Sequence, residues 1–148
     1  MKITDAFTAE HAVLYAQLDH LEKAVPAART LGEVQAMSAL LESALSSHAE
    51  LEDVLLLDGL DPGLAQMGKL ERVHSDHDAI CRGLAKIQAC KKRAEAQRLL
   101  LSLVQVTRKE FDLEDRVIFK VAEETMHPDT LEKLGKTWAR RRGVPLRS

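Results

Sequence analysis

Apolar residues recur at steps of three and four along most of this chain, which is the spacing of one face of an α-helix. The first stripe of this kind contains His11, Leu14, Leu18, Leu21 and Val25. It predicts a first helix that begins at a Thr8 cap and ends near Val25, before Pro26. His20 lies nine residues after His11, so we expect His20 to face solvent and His11 to be buried.

The same spacing predicts three more long helices. They run from Thr30 to about Leu57, from about Leu64 to Ala89 and from about Ala94 to Glu124. Helix-breaking residues in Asp58–Gly63 separate the second helix from the third. Four long amphipathic helices with short connections are typical of an antiparallel four-helix bundle in up-down-up-down order.

A shorter fifth helix, with Thr125 or His127 as its cap, is predicted to run to about Trp138. The expected fold is therefore all-α, with one domain over residues 1–148. Its parts are the bundle at about 8–124 and the C-terminal helix with a basic tail at about 128–148.

Polar side chains interrupt these apolar stripes at matching depths of the bundle. His48 and Glu52 lie four residues apart on the inner face of the second helix, with Met37, Leu41, Ala44 and Leu55. The third stripe holds His74 and His77, with Leu70, Ile80, Cys81, Leu84 and Ile87. The fourth holds Glu110 and Glu114, with Leu99, Leu103, Val106, Leu113, Val117 and Val121. The other face of the fourth helix passes through Thr107, Arg108, Phe111, Asp115 and Ile118, and we predict that it points away from the core.

These polar positions form a candidate metal-ligand set of four imidazoles and three carboxylates: His11, His48, Glu52, His74, His77, Glu110 and Glu114. Mixed nitrogen and oxygen ligands suit iron, manganese or zinc. Seven ligands exceed the need of one ion and fit two ions bridged by carboxylates, as bundle interiors can provide. Taken singly, a buried histidine is more often a hydrogen-bonded core residue, and a His–Glu pair four residues apart also occurs as an ordinary helix pair.

The chain also repeats itself in two halves. The segment from Glu10-His11 resembles the segment from Asp76-His77 at an offset of 66 residues. The segment from His48 to Leu57 resembles the one from Glu110 to Phe119 at an offset of 62. Two helix pairs packed around a pseudo-twofold axis would bring these polar groups to the centre of the bundle.

Composition narrows the classes of function. The net charge is −2, so neither nucleic acid nor an anionic membrane is an expected partner. We interpret the basic cluster Arg140–Arg142 as a solvated helix end rather than a docking site. The first residues do not resemble a signal peptide, and no apolar run approaches a membrane span. Cys81 and Cys90 lie too far apart on one predicted helix to form a disulfide, so a reducing cytoplasm is the expected setting.

At the polar positions the chain resembles the hemerythrin-like proteins, also called HHE cation-binding domains. The matching residues are Glu10-His11, His48 to Glu52 with Asp53, His74 and His77, and Glu110 to Glu114 with Asp115 and Ile118-Phe119. The resemblance covers residues 8 to about 124. It implies a bundle with a non-heme di-iron centre that binds, senses or reacts with oxygen, nitric oxide or peroxide.

The chain departs from this family pattern where Glu110 replaces a histidine. Glu110 is either a substitute ligand, which we favour, or the mark of a degraded site that binds metal weakly or not at all. His74 lies three residues before His77, where hemerythrins proper have four, so it is alternatively an outer residue. Asp115, five residues after Glu110, is a reserve ligand.

As a working hypothesis, Glu52 and Glu114 bridge two ions, with manganese and zinc as alternatives to iron. His11 and His48 would then hold one ion, and His74, His77 and Glu110 the other. Because anionic oxygen donors favour ferric iron, we expect weak peroxidase- or catalase-like chemistry, or sensing, rather than reversible oxygen carriage. The alternative is a non-catalytic helical interaction module with a vestigial or structural metal site.

Overall fold

The computed structural model describes residues 1–60 and 67–145, without the side chains at positions 67, 69 and 70. These residues form helices and, within those ranges, no β-strand. The α-helices are α1 (Ile3–Ala27), α2 (Leu31–Leu55), α3 (Met67–Ala89), α4 (Arg93–Leu113), α5 (Phe119–Thr125) and α6 (Pro128–Arg142). A short 3₁₀ turn (Leu57–Gly59) follows α2, and a π-helical turn (Glu114–Ile118) joins α4 to α5.

The four long helices form a ring, and α2 and α4 also contact each other across it. Helix α1 contacts α2 and α4, and α3 contacts the same two helices from the other side. The predicted all-α bundle with a short C-terminal helix is confirmed. The predicted start of the third helix at Leu64 and the side chain of Leu70 lie outside the described residues.

Helix α1 begins six residues earlier than predicted, with its cap at Lys2 instead of Thr8. The backbone N–H of Lys2 donates to the Asp5 carboxylate at 2.8 Å, and this contact caps the helix start. Ile3 and Phe7 are fully buried, which ties this additional turn to the core. Thr8 is therefore an exposed mid-helix residue, and the prediction that it caps the helix is wrong.

The start of α2 follows its sequence signature. The Thr30 hydroxyl accepts a hydrogen bond from the backbone N–H of Glu33, and the Glu33 carboxylate accepts one from the backbone N–H of Thr30. This reciprocal pair is a capping box, which satisfies two otherwise free N–H groups. The Thr30 cap, 18 residues before His48, fixes where α2 begins.

The fourth helix of the bundle buries part of the predicted face together with part of the neighbouring one. Leu103 is buried as predicted, but Thr107, Phe111 and Ile118 are buried too, whereas Val106 is 37% exposed. In the π turn, the Phe119 N–H donates to the Glu114 carbonyl five residues earlier. The additional residue in this turn shifts the phase of the residues that follow it, so the inner face is wider than a regular stripe. Both polar members of that stripe nevertheless remain buried.

Two apolar clusters lie on either side of the polar positions. One contains buried residues of all four long helices, among them Leu18, Leu41, Leu84 and Leu100. The other gathers Ile3, Phe7, Leu56, Phe119 and Leu131 at the opposite end of the bundle. The buried histidines and carboxylates therefore occupy the layer between two dry cores.

Helix α6 packs across the outside of α1. Its start is capped by His127, whose ring Nδ1 accepts a hydrogen bond from the Asp129 N–H at 3.3 Å. Gly135 allows a close approach, because a Cβ there would collide with the Met1 carbonyl oxygen. Gly143 ends the helix with a positive φ of 67°, a conformation that glycine adopts without strain.

Candidate metal centre

Six of the seven predicted metal ligands meet in the middle of the bundle. They come from every long helix: His11 from α1, His48 and Glu52 from α2, His77 from α3, Glu110 from α4 and Glu114 from the π turn. Five of these side chains are buried, and His77 is 12% exposed. The pairs at i and i+4 reach the same layer because each pair lies on one helix face.

The six side chains form two groups that share one carboxylate. His11, His48, Glu52 and Glu114 each offer a ligand atom within 4.8 Å of the others, and so do His77, Glu110 and Glu114. Glu114 is thus placed between the two groups. Because it has two oxygens, Glu114 would serve both groups if each held a metal ion.

The Nε2 atoms of all three inner histidines point into this centre. His11 Nε2 lies 3.1 Å from His48 Nε2 and 3.2 Å from a Glu114 oxygen. His77 Nε2 lies 3.1 Å from Glu110 Oε1 and 3.5 Å from Glu114 Oε1. His48 Nε2 is 3.6 Å from Glu52. Three imidazole nitrogens therefore face three carboxylates.

The opposite ring nitrogen of each histidine faces an outer carboxylate. His11 Nδ1 lies 2.9 Å from Asp115, and His48 Nδ1 lies 2.7 Å from Glu10. His77 Nδ1 lies 3.4 Å from Asp53, within ion-pair distance, but neither atom has a hydrogen bond among the described residues. In metal sites, a carboxylate on the far nitrogen orients the ring and leaves the inner nitrogen free to bind the ion.

The inner carboxylates lie near imidazole nitrogens, but most of their oxygens have no hydrogen bond within the described residues. Among the described residues, both oxygens of Glu52 and of Glu114, and Oε1 of Glu110, are buried without a hydrogen bond. A buried polar group without a partner costs about 1–3 kcal/mol, and more when it is charged. Bound cations would satisfy all of these oxygens at once, so the donor set fits a metal centre.

The pKa shifts of the three inner glutamates reflect the cost of burying several negative charges close together. Burial and the charge of Glu114 hold the pKa of Glu52 well above its usual range. Burial and the same charge raise the pKa of Glu110 to about 8. For Glu114 itself, burial is outweighed by contacts with His11 and His77, so its pKa is lowered.

The histidines divide into two kinds. Burial alone would lower the pKa of His11, but Asp115 and Glu114 raise it to about 9. Burial likewise opposes protonation of His77, and Asp53 and Glu114 outweigh it to raise the pKa to about 11. The pKa of His48 is lowered, chiefly by burial, so this ring is neutral at pH 7.

His74 does not join the centre, in contrast to its place in the predicted ligand set. Its side chain is 48% exposed, and its Nδ1 lies 3.4 Å from Asp53. The physical reason is rotation: His74 precedes His77 by less than a full turn, and α3 turns only His77 inward. Asp115, the reserve ligand, lies on the far side of the His11 ring rather than among the inner donors.

Two residues at the centre's edge were not predicted from the sequence. Trp138 and Arg142 of α6 both hydrogen-bond Glu10, the outer carboxylate of His48. Arg142 belongs to the basic cluster interpreted above as solvated, and that interpretation is wrong for this residue. Arg142 and Glu10 are 132 residues apart, so no local sequence pattern could predict their contact.

A family model described as the hemerythrin HHE cation binding domain matches residues 2–122. The chain belongs to this family. The match spans α1 to α5 and contains all six inner donors, so the hemerythrin assignment and the buried His/Glu cluster agree on a metal-binding protein.

Other comparisons add nothing to the hemerythrin assignment. No curated protein and no solved structure matches the chain. Within residues 1–60 and 67–145, none of the helices is both long and apolar enough to span a bilayer.

Proposed function

We propose that this hemerythrin-family chain binds two iron ions and that the centre binds, senses or reacts with oxygen, nitric oxide or peroxide. The observation that carries the proposal is the pair of donor groups that share Glu114, with buried carboxylate oxygens that have no hydrogen-bond partner among the described residues. One ion would be held by His11, His48 and Glu52. The other would be held by His77 and Glu110.

The residues around the donors have separate tasks in this proposal. Asp115 and Glu10 orient the imidazoles of His11 and His48 by hydrogen bonds, and a bound di-iron centre would supply the redox chemistry. Phe111 stacks on the His11 ring, with centroids 4.2 Å apart, and keeps water away from that side. Neutral His48 can offer its Nε2 lone pair without first losing a proton.

A small cavity beside the second donor group fits a diatomic or peroxide ligand. It has a volume of about 30 Å³, which is room for one or two water-sized molecules. Its polar lining residues include His77 and Glu110, and most of its wall is apolar: Leu45, Ala49, Ile80, Leu84 and Phe111. A narrow apolar space admits small neutral molecules and disfavours larger or charged ones.

Glu110 biases this centre toward oxidative chemistry. An anionic oxygen donor stabilises the ferric state more than an imidazole does. Reversible oxygen carriage needs a resting diferrous state, so a glutamate at this position favours peroxide breakdown or stoichiometric sensing. Clean reversible oxygen binding by the wild-type protein would contradict this part of the proposal.

The first experiment is anaerobic iron loading of the full chain, followed by metal analysis, visible spectroscopy and thermal unfolding. We expect about two irons per chain and an absorption band that disappears on reduction. Free metal at about 100-fold above its Kd should stabilise the fold by about 2.7 kcal/mol, or roughly 5–10 °C in Tm.

Two variants of α2 make this experiment specific. Glu52→Gln removes an inner carboxylate and should abolish most of the thermal shift, whereas Glu50→Gln changes an exposed glutamate two residues away and should keep it. Less than about 0.2 iron per chain, with an unchanged Tm in the wild type, would refute the metal centre. The helical interaction module would then be the better description.

A further inference from the structure

We propose that Trp138 and Arg142 of the C-terminal helix are positioning residues of the metal centre, because they hold Glu10 where it fixes the proton of His48 on Nδ1. This inference rests on the proposed function for its consequence, which is metal affinity. It extends the centre to α6, which lies beyond the residues matched by the family model.

Both oxygens of Glu10 are engaged by α6. Trp138 Nε1 donates to Glu10 Oε1 at 2.7 Å, and Arg142 Nε donates to the same oxygen at 2.7 Å. Arg142 Nη2 donates to Glu10 Oε2 at 3.2 Å. Three donors from one helix therefore define the orientation of this carboxylate.

Arg142 is itself held against α2 next to the ligand histidine. Its Nη1 donates to the Ser47 hydroxyl at 2.5 Å, and its Nη2 donates to the Ser47 carbonyl oxygen at 2.9 Å. A planar guanidinium with several fixed partners loses little further freedom when it binds a carboxylate. The Arg142 side chain thus joins α1, α2 and α6 at the level of His48.

The oriented Glu10 determines which nitrogen of His48 carries the proton. Glu10 Oε2 lies 2.7 Å from His48 Nδ1 and accepts a hydrogen bond from it. Because Trp138 and Arg142 donate to this carboxylate from the other side, its oxygen stays in place at Nδ1. A carboxylate oxygen held at Nδ1 keeps the proton there, and Nε2 is left with the lone pair that a metal needs.

The other two outer carboxylates have no comparable support. Among the described residues, Asp115 contacts the His11 ring, and Asp53 contacts the rings of His74 and His77. No arginine or tryptophan contact to either aspartate occurs in that part of the chain. Among the three outer carboxylates, Glu10 at His48 is thus the one that α6 holds by hydrogen bonds within the described residues.

The test compares two variants of α6 with a matched control. Trp138→Phe keeps an aromatic ring and removes only the N–H donor, and Arg142→Gln removes the guanidinium. Arg141→Gln changes an exposed neighbour on the same helix. Iron affinity is measured by chelator competition, and the His48 ring is observed by ¹⁵N NMR in the metal-free protein. The same substitutions are repeated in a Glu10→Gln background.

We expect each of the first two variants to weaken iron binding about tenfold and to shift the His48 ring nitrogens away from the Nδ1–H form. Arg141→Gln should leave both readouts unchanged, and neither substitution should add a further effect once Glu10 is a glutamine. A variant with a lower Tm but unchanged ring signals and affinity would overturn the inference, because its role would then be packing alone.

The NMR readout separates this inference from the proposed function. A wild-type protein that binds no iron refutes the di-iron centre, and the His48 ring signals of the metal-free variants still decide the role of α6. Unchanged ring signals in both Trp138→Phe and Arg142→Gln overturn the inference whether or not iron binds.

Discussion

His77 and Glu110 face each other across the contact between α3 and α4, with His77 Nε2 3.1 Å from Glu110 Oε1. In the repeat seen in the sequence, these residues correspond to His11 and His48, whose Nε2 atoms lie 3.1 Å apart. The repeat extends to the outer carboxylates, because His11 contacts Asp115 and His77 contacts the corresponding Asp53. The second half of the centre thus repeats the first, with a glutamate in place of one imidazole.

Restoring a histidine at position 110 should make the centre more symmetric and harder to oxidise. Asp76 is the counterpart of Glu10, and its charge already helps to raise the pKa of Glu110. In Glu110→His, Asp76 would face the new ring as Glu10 faces His48. We expect a higher reduction potential and therefore slower reoxidation in air. If the activation barrier to reoxidation rises by about 1.4 kcal/mol, the rate falls about tenfold.

Spectroelectrochemistry and stopped-flow reoxidation of the iron-loaded protein measure these two effects. Glu124→His, which changes an exposed glutamate near the end of α5, is the matched control and should behave as the wild type. An unchanged potential in Glu110→His, at unchanged iron content, would mean that Glu110 does not bind the metal.

The two histidines of α3 should differ sharply in their effect on metal binding. His77 points inward to three carboxylates, whereas His74 is 48% exposed. We expect His77→Ala to weaken iron affinity at least 10–100-fold, roughly the cost of losing a residue that orients or binds the metal. His74→Ala should change it by less than about threefold, because the ion pair of His74 among the described residues is with Asp53, outside the inner donors. Equal losses in the two variants, measured by chelator competition, would contradict this assignment.

The cavity beside His77 should control access of small ligands. Ala49 lines it, and Ala49→Leu would fill much of its volume of about 30 Å³. We expect nitric oxide to bind the reduced, iron-loaded variant at least about tenfold more slowly, since side chains must move before the ligand enters. Ala39→Leu, at an exposed position of the same helix, is the control for rates measured by stopped flow. Equal rates in both variants would place the entry route elsewhere.

The inner donors could be predicted because helical periodicity is a local property. His11 and His48 fall in regular apolar stripes, and both are buried as expected. The inner face of α4 could not be read in this way. The π turn that follows it, in which the Phe119 N–H donates to the Glu114 carbonyl, leaves no repeating pattern in the sequence.

The parts of the site that sequence reasoning missed depend on tertiary packing. Whether His74 or His77 turns inward depends on the rotation of α3 against its neighbours, and both positions fit the same stripe. Trp138 and Arg142 reach Glu10 over 128 and 132 residues of chain, so only the docking of α6 brings them together. Their residue types alone are equally compatible with a solvated helix end.

The docking of α6 depends on Gly135, which leads to a final prediction about stability. A Cβ at this position would meet the Met1 carbonyl oxygen and the backbone of Lys2, neither of which is a flexible side-chain end. Gly135→Ala should therefore destabilise the protein by about 1–3 kcal/mol despite the better helix propensity of alanine. Gly68→Ala is the matched control, because a Cβ there meets none of the described residues within 4 Å; it should stabilise α3 by up to about 1 kcal/mol. Chemical denaturation measures both changes. If Gly135→Ala were as stable as Gly68→Ala, α6 would not be packed as closely on the start of α1 as the structure has it.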